Sequence, residues 1–185
     1  MKKKLDVLSE KAHQKIEGWQ QTSHERVVRP HWDNYFLAQA FLAAQRSHDA
    51  NTKNGAVIVD TSNKVIGQGY NGLPRNVEDS FLPNKRGPNL DKYSWMIHAE
   101  LNAILNCTVS PVDARIYITG PPCLHCALCI WQAGINCMIY TEKNKADMLK
   151  NDEYDTNMNI FFWLTGMQRI VLNPDFSFMN NLQKI

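Results

Sequence analysis

Residues 115–140 restrict the fold more than any other part of this sequence. The stretches 115–119 and 137–140 are short and rich in apolar, β-branched and aromatic side chains, which is typical of buried strands. Residues 122–132 between them favour a helix. A strand, a helix and a strand in that order make a unit that builds a sheet covered by helices. The sequence therefore predicts an α/β fold.

Two regions upstream extend the predicted sheet and its covering layer. Residues 55–59 and 64–67 are short β-branched runs on either side of the turn-forming residues 60–63, so we expect a β-hairpin. Apolar positions at helical spacing predict a helix over 32–44, and Asp33 is its expected N-cap.

The remaining regions complete one domain with a mixed sheet between helices. We expect a loop rich in glycine, proline, asparagine and charge over residues 71–91. It is followed by a helix that begins with the sequence HAELNAIL (98–105). The apolar residues of the tail, 161–164 and 170–172, are expected to belong to the same core.

An N-terminal arm, residues 1–30, precedes the single domain predicted over residues 31–185. The arm is polar, is expected to be helical in part, and ends at Arg29-Pro30, where the residue before proline is pushed out of helical geometry. It has no long apolar run, and its acidic residues argue against a transit peptide. No stretch approaches the ~18 apolar residues of a membrane-spanning helix. We therefore expect a cytoplasmic protein.

The composition is that of a soluble globular protein. The chain has 185 residues, of which 44% are apolar and 21% charged, and its net charge is +2. This length is enough to bury one sizeable core. The near-neutral charge gives no indication of a polynucleotide or of an acidic membrane as partner.

The cysteines indicate metal or redox chemistry rather than a disulfide framework. There are five, an odd number, and Cys123, Cys126 and Cys129 fall within seven residues. Cys123 and Cys126 lie at the predicted start of a helix, so their sulfurs can share one metal ion. A CxxC pair alone also fits half of a structural zinc site, a redox dithiol or a chance occurrence.

His98 and Glu100 favour a catalytic metal over a structural one. The remaining cysteines, Cys107, Cys129 and Cys137, form no second pair of the kind that a four-ligand structural site would use. His98, also at a predicted helix start, can supply a third ligand, and three protein ligands leave one position for water. Glu100 lies two residues later, where its carboxylate can exchange protons with that water without binding the metal.

His-x-Glu followed by Pro-Cys-x-x-Cys is a signature of zinc-dependent nucleobase deaminases. Within that class the chain resembles the deoxycytidylate (dCMP) deaminase family of the cytidine deaminase-like superfamily, over about residues 32–140. The segments that carry the resemblance are WDNYFLAQAFLAAQRSHD (32–49), GAVIVD (55–60), GYNGLP (69–74), HAELNAILN (98–106) and PPCLHCALCIWQAGI (121–135). The resemblance implies a three-layer α/β/α sandwich with a mixed central sheet and a zinc cofactor. It also implies hydrolysis of dCMP to dUMP and ammonia, which supplies dUMP for thymidylate synthesis.

The resemblance further implies roles for individual residues around the metal. His98, Cys123 and Cys126 would bind zinc. Glu100 would move protons between the water, ring N3 and the leaving amino group. The backbone around Ala99 would lie against the edge of the base.

The loops provide the expected contacts to the rest of the nucleotide. Asn71 would correspond to the family's sugar-contacting asparagine, although Asn71-Gly72 is also a strong turn signal. Asn51 aligns with a position implicated in the contact to the 5′-phosphate, and Lys53 offers a positive charge. Arg75 is a second basic candidate. For Lys53, Asn51 and Arg75, a solvated surface position fits the sequence equally well.

The sequence departs from the family pattern in two places. Asn54 stands where the family usually has valine, which puts a polar group at the entrance of the strand. Residues 75–79 lack the cysteine that many members carry after Gly-x-Pro, so a second, structural zinc is not expected. Many relatives are hexamers activated by dCTP and inhibited by dTTP. We expect a homo-oligomer, while the altered loop leaves regulation open.

Three other functions fit parts of this pattern. A related deaminase would act on a 5-substituted dCMP, on CMP or on a free cytosine nucleoside. A polynucleotide-editing deaminase would need a basic, aromatic-rich channel, which the near-neutral charge does not favour. A non-catalytic zinc module used for assembly would have no need of Glu100.

Overall fold

The structure is a computed structural model, and it describes residues 10–15, 29–81, 92–142 and 152–184. Residues 10–15 are helical, as expected for a part of the N-terminal arm. The rest of that arm up to residue 28 lies outside the described residues, as does the part of the predicted loop over 82–91. None of the described helices is long and apolar enough to cross a membrane.

Within the described residues, five strands form one mixed sheet. They are β1 (Gly55–Val59), β2 (Val65–Tyr70), β3 (Arg115–Ile118), β4 (Cys137–Thr141) and β5 (Gln168–Leu172). Their order across the sheet is β2-β1-β3-β4-β5. β1 runs antiparallel to β2 and β3, whereas β3, β4 and β5 are parallel to one another. β1 therefore begins at the edge of the sheet where β2 and β3 end.

Besides the helical residues 10–15, the described part of the chain has four α-helices, which cover the two faces of this sheet. They are α1 (Trp32–Ala44), α2 (Ala99–Leu105), α3 (Leu124–Gln132) and α4 (Asp152–Thr165), and 3-10 segments lie at Asp79–Phe81, Lys92–Ser94 and Ser177–Lys184. α1 packs on one face, where Phe36 and Leu37 are fully buried. α2, α3 and α4 pack on the other face through residues such as Ala103, Ile130 and Phe161.

The core has two halves because alternate residues of a strand point to opposite faces of the sheet. On β1, Val57 and Val59 belong to the cluster around α1, whereas Ala56 and Ile58 belong to the cluster around α2 and α3. All five residues of β1 are buried, which explains why its sequence is a continuous apolar run. The predicted three-layer α/β/α sandwich with a mixed sheet is confirmed.

Two glycines on β2 allow α2 to lie directly on the sheet. A Cβ atom at Gly69 would collide with the backbone of Ala99 and Ala103, and one at Gly67 would lie 2.6 Å from the Ala103 carbonyl oxygen. Because no side chain separates the two elements, the first turn of α2 is held against the strand. The start of this helix, which follows His98, therefore has a fixed position on the sheet.

The start of α1 differs from the prediction. The N-cap is His31, whose Nδ1 accepts a hydrogen bond from the Asp33 backbone N–H at 3.4 Å. Asp33 lies inside the helix, and its Oδ1 accepts a 2.7 Å hydrogen bond from the Tyr117 hydroxyl of β3. The expected cap at Asp33 is wrong, because its carboxylate pairs with a tyrosine hydroxyl of the sheet instead of with the helix start.

The tail belongs to the core only in part. Phe161 is buried, at 4% exposure, and packs with Met158 against the sheet. Trp163 and Leu164, in contrast, are 82% and 68% exposed. Both were expected in the core. The prediction is wrong for them because they lie on the side of α4 that faces away from the sheet. It is also wrong for Ile170 and Val171, which are exposed on β5, a strand at the edge of the sheet.

Candidate active site

His98 and two cysteines lie at the starts of two helices, α2 and α3, that cover the same face of the sheet. His98 is the N-cap of α2, with extended backbone angles (φ −68°, ψ 154°), and its side chain makes no capping hydrogen bond. Cys123 is the N-cap of α3 and is also extended, and its Sγ accepts from the Cys126 backbone N–H at 3.5 Å. The His98 imidazole faces the two sulfurs.

The donor atoms of these three residues converge. His98 Nδ1 lies 3.3 Å from Cys126 Sγ and 3.6 Å from Cys123 Sγ. All three donor atoms lie within 4.8 Å of one another, and no other group of His, Cys, Asp or Glu ligands converges in this way among the described residues. Imidazole nitrogen and thiolate sulfur are preferred zinc ligands, and a tetrahedral ion held by three of them keeps its fourth position for water. The donor set therefore fits a catalytic zinc ion.

The electrostatics of the site favour a thiolate. Hydrogen bonding with the Cys126 thiol lowers the pKa of Cys123 to about 4, against the opposing effect of burial and with additional help from His98. The pKa of Cys126 is raised, first by its hydrogen bond to Cys123 and then by burial. The opposite shifts describe one pair that shares a proton, so the first proton leaves easily and the second is retained. A metal cation would stabilise both sulfurs as thiolates.

Glu100 lies in the first turn of α2 and is 6% exposed. Burial raises the pKa of its carboxyl, and its own backbone amide and the charge of His98 oppose that shift. A buried carboxyl with a raised pKa beside candidate metal-ligand side chains is suited to accept a proton and to return it.

Asn71 lies at the end of β2, beside the segment that leads into α2. Gly72 and Ile97 exchange both backbone hydrogen bonds, which joins the two segments. Asn71 is 6% exposed, and its Oδ1 accepts from the Asn54 N–H while its Nδ2 donates to the Thr52 carbonyl, both at 2.8 Å. Asn71 thus fixes the loop before β1, and its oxygen and nitrogen can each make one more hydrogen bond.

The loop over residues 47–54 lies at the same edge of the sheet. The Thr119 hydroxyl, just after β3, accepts from the Gly55 N–H at 3.1 Å and donates to Asn54 Oδ1 at 3.4 Å. This contact satisfies the polar Asn54 side chain at the strand entrance. Asn51 is exposed and Lys53 is half-buried in this loop. The structure therefore brings the predicted sugar and phosphate loops to the edge where the chain continues from β3 towards α3.

Ala99 is the first residue of α2 and is completely buried. Its position between the metal-ligand candidate His98 and the carboxyl of Glu100 places its backbone within the site. The predicted role of this backbone beside the base edge is compatible with that placement.

Two other polar side chains point away from the site. Arg75 Nη2 donates to Asn106 Oδ1 at 3.2 Å, and Asn106 is the C-cap of α2, at the opposite end of the helix from His98. His125 Nε2 lies 3.8 Å from Cys129 Sγ on the exposed side of α3. The structure thus does not bring Arg75 together with the other phosphate candidates.

Sequence reasoning missed a contact that supports the metal-ligand segment. The Tyr154 hydroxyl of α4 donates to the Pro122 carbonyl oxygen at 2.7 Å, directly before Cys123. Burial raises the pKa of Tyr154, so its hydroxyl stays protonated and remains a donor. Because the partners are 32 positions apart, no local pattern in the sequence indicates this contact.

A buried carboxyl beside convergent imidazole and thiol donors, at the edge of an α/β sheet where β3 ends, is the arrangement of a metal-dependent hydrolytic site. The family model described as the cytidine and deoxycytidylate deaminase zinc-binding region matches residues 30–142, more than half of the chain. The chain belongs to this family. The matched region includes His98, Glu100, Cys123 and Cys126.

The chain is also similar to curated deoxycytidylate deaminases. It is 43% identical over 134 residues to the probable deoxycytidylate deaminase of Drosophila melanogaster, an alignment that covers 68% of this chain and 66% of that protein. It is 41% identical over 150 residues to the deoxycytidylate deaminase of Mus musculus, with 79% of this chain and 82% of that protein covered.

A solved structure has the same fold. The crystal structure of dCMP deaminase from the cyanophage S-TIM5, in complex with dCMP and dUMP, superposes with a TM-score of 0.59 over 78% of this chain and 99% of that chain. The two sequences are 20% identical, so this likeness establishes the fold alone.

Proposed function

We propose that this chain is a zinc-dependent enzyme that hydrolyses dCMP to dUMP and ammonia. The observation that carries the proposal is the convergence of His98 Nδ1 with the Cys123 and Cys126 sulfurs beside the buried carboxyl of Glu100. The names of the fly and mouse relatives, and the dCMP and dUMP bound in the cyanophage enzyme, support this substrate.

His98, Cys123 and Cys126 would hold the zinc ion. A zinc ion bound there would lower the pKa of a water molecule in its fourth position towards ~7. The Cys126 backbone N–H already donates to Cys123 Sγ at the start of α3, which stabilises negative charge on that sulfur. The proposed ligand side chains thus lie at the N-caps and in the first turn of two helices.

Glu100 would move the protons. Water adds its oxygen to C4 of cytosine, and Glu100 accepts the proton that the water loses and delivers it to ring N3. The same carboxylate then carries the proton of the new C4 hydroxyl to the amino group. The C4–N bond breaks, ammonia leaves, and the C4 carbonyl of dUMP remains. Burial of Glu100 favours this role, since a raised pKa lets the carboxyl hold each proton between the two transfers.

The surrounding loops would bind the rest of the nucleotide. We assign the edge of the base to the backbone around Ala99, and the sugar to the remaining hydrogen-bonding positions of Asn71. Asn51 and Lys53 would contact the 5′-phosphate. The fixed position of Asn71, which hydrogen-bonds to the Asn51 and Lys53 loop at Thr52 and Asn54, supports this assignment.

We further propose that the enzyme is a cytoplasmic homo-oligomer, a hexamer by resemblance, that supplies dUMP for thymidylate synthesis. Large apolar side chains are exposed on two neighbouring helices, Leu128 and Trp131 on α3 and Trp163 and Leu164 on α4. Exposed apolar groups of this kind favour association with another protein surface. Activation by dCTP and inhibition by dTTP belong to the same proposal.

The decisive experiment measures ammonia release by the purified, zinc-loaded protein. It compares dCMP with CMP, a 5-substituted dCMP, deoxycytidine and a cytosine-containing single strand. We expect the highest kcat/KM for dCMP. A higher kcat/KM for one of the other compounds would reassign the substrate, and no release from any of them would contradict the proposal. Repeating the dCMP assay with dCTP or dTTP tests the regulation, and light scattering tests the oligomer.

A further inference from the structure

Lys92 forms a buried ion pair with Asp49 that the mechanism above does not use. Its Nζ donates to Asp49 Oδ2 at 2.7 Å and to Oδ1 at 2.9 Å, and both side chains are 4% exposed. No other ion pair between described residues is buried at both ends. Removing two charges from water is costly, so a pair of this kind indicates a positioning role more than a gain in stability.

The Asp49 carboxylate orders the loop that precedes β1. Its Oδ1 accepts from the backbone N–H groups of Asn51 at 2.8 Å and of Thr52 at 3.1 Å. Burial raises the pKa of Asp49, but the hydrogen bonds from Lys92 and from these two amides outweigh it and lower the pKa below its usual value. The carboxylate therefore stays ionised and remains an acceptor for both amides.

Lys92 belongs to the segment that leads into α2. It begins the 3-10 turn Lys92–Ser94, and the chain continues through Ile97, which is paired with the end of β2, to His98. The ion pair therefore joins the loop over 47–54 to the segment that delivers the first metal-ligand candidate.

A second contact lies beside this pair. His48 Nδ1 lies 3.3 Å from Asp79 Oδ1, so the neighbouring residues His48 and Asp49 contact the chain on both sides of residues 82–91. The Asp79 side chain is 63% exposed, and a pair this open to solvent contributes little. Of these two contacts, the buried ion pair of Lys92 is therefore the principal connection between the loop over 47–54 and the segment that leads into α2.

We propose that Lys92 is a positioning residue for nucleotide recognition: through Asp49, it holds the loop of Asn51 and Lys53 in the conformation that receives the 5′-phosphate. This inference rests on the proposed function, because it concerns the same site. Groups that are already in place bind an anion better, since ordering them at the moment of binding costs free energy. Because the Lys92 ammonium is paired with Asp49 inside the protein, it affects phosphate binding through the loop rather than by touching the phosphate.

The test compares Lys92→Met with Lys64→Met, a matched change at an exposed lysine in the turn before β2. Methionine keeps much of the length of lysine without its charge. For Lys92→Met we expect KM for dCMP to rise about tenfold or more, with kcat within about twofold of the unchanged protein. With deoxycytidine, which has no phosphate, kcat/KM should stay within about twofold. Zinc content should be unchanged in both variants.

An equal loss of kcat/KM for dCMP and deoxycytidine would mean a purely structural role and would overturn the proposal. Unchanged kinetics with both substrates would overturn it as well.

If Lys92→Met does not fold because Asp49 is left buried without its partner, the double variant Asp49→Asn/Lys92→Met removes both charges. The asparagine oxygen can still accept from the Asn51 and Thr52 amides, so this variant isolates the loss of the connection. The same selective rise in KM for dCMP is expected.

Calorimetric binding of dUMP and of deoxyuridine separates this inference from the proposed function, because it requires no turnover. A loss of dUMP affinity in Lys92→Met of about tenfold, with deoxyuridine affinity unchanged, supports the positioning role even in a protein that releases no ammonia from dCMP. Equal dUMP affinity in Lys92→Met and the unchanged protein, or no binding of dUMP to either, overturns it.

Discussion

The metal site and the loops around it are built in different ways. His98, Cys123 and Cys126 lie at the N-caps or in the first turn of two helices, so a few neighbouring residues direct each side chain. The loop over 47–54 depends instead on distant partners. Asn71 holds it across 17 positions of the chain, and Lys92 across 43.

This difference predicts two kinds of failure. A substitution at the helix starts should remove the metal or the proton carrier while the loops keep their shape. A substitution at one of the long-range contacts should instead change the shape of the substrate loops while the metal stays bound. Variants of both kinds, measured for zinc content, turnover and stability, can separate the two regions or show that they are one unit.

The largest effect is expected from the proposed metal ligands. Cys123→Ser and Cys126→Ser each replace a thiolate by a poor zinc ligand, so zinc affinity should fall by about 100-fold or more and activity should fall with it. Elemental analysis of the purified variants measures the bound zinc. Cys107→Ser is the matched control, because Cys107 lies just beyond the C-cap of α2, at the opposite end of that helix from His98. Undiminished zinc in either of the first two variants would contradict the ligand assignment.

Removing the proposed proton carrier, Glu100, should leave the metal in place. Glu100→Ala should keep zinc and fold, whereas kcat for dCMP should fall by about 10²–10⁴-fold, the range typical of a lost general acid–base group. Glu100→Gln tests the same loss with nearly the same side-chain volume. Glu78→Gln changes an exposed glutamate in the same way and should have little effect. Full turnover in Glu100→Ala would remove the catalytic assignment.

The convergence of His98, Cys123 and Cys126 was predictable because its information is local. The His-x-Glu and Pro-Cys-x-x-Cys motifs lie at two predicted helix starts and identify the side chains of the candidate site. In the structure, each of these two helices follows or faces a strand. The buried strands were also predictable, since residues 55–59 and 137–140 are continuous apolar runs buried on both faces. For both the helix starts and the buried strands, residues close together in the sequence determine the local structure.

Several features that the sequence did not indicate depend on the packing of residues far along the chain. Asp33 has the residue type of an N-cap, but the Tyr117 hydroxyl, 84 positions away, takes its carboxylate. Nothing near Lys92 in the sequence indicates that its charge is buried against Asp49. Trp163 is a large apolar residue of the type usually found in a core, and only the packing of α4 shows that it faces outward. Such contacts require the tertiary structure.

The smallest effect, and the one that most sharpens the comparison, concerns stability. Asn71→Ala leaves the Asn54 N–H and the Thr52 carbonyl without their partners in a part-buried loop, so we expect a loss of about 1–3 kcal/mol in the free energy of unfolding. Asn102→Ala is the matched control. Its Nδ2 donates to the Tyr70 carbonyl in an exposed position, and its loss should cost only about 0.5–1 kcal/mol. Urea denaturation of both variants, with zinc content measured in parallel, gives the two values.

If Asn71→Ala costs no more than Asn102→Ala, the side chain of Asn71 does not hold the loop, and the long-range contacts matter less than the structure indicates. If Asn71→Ala releases zinc, the loops and the metal site are one cooperative unit rather than two separable regions.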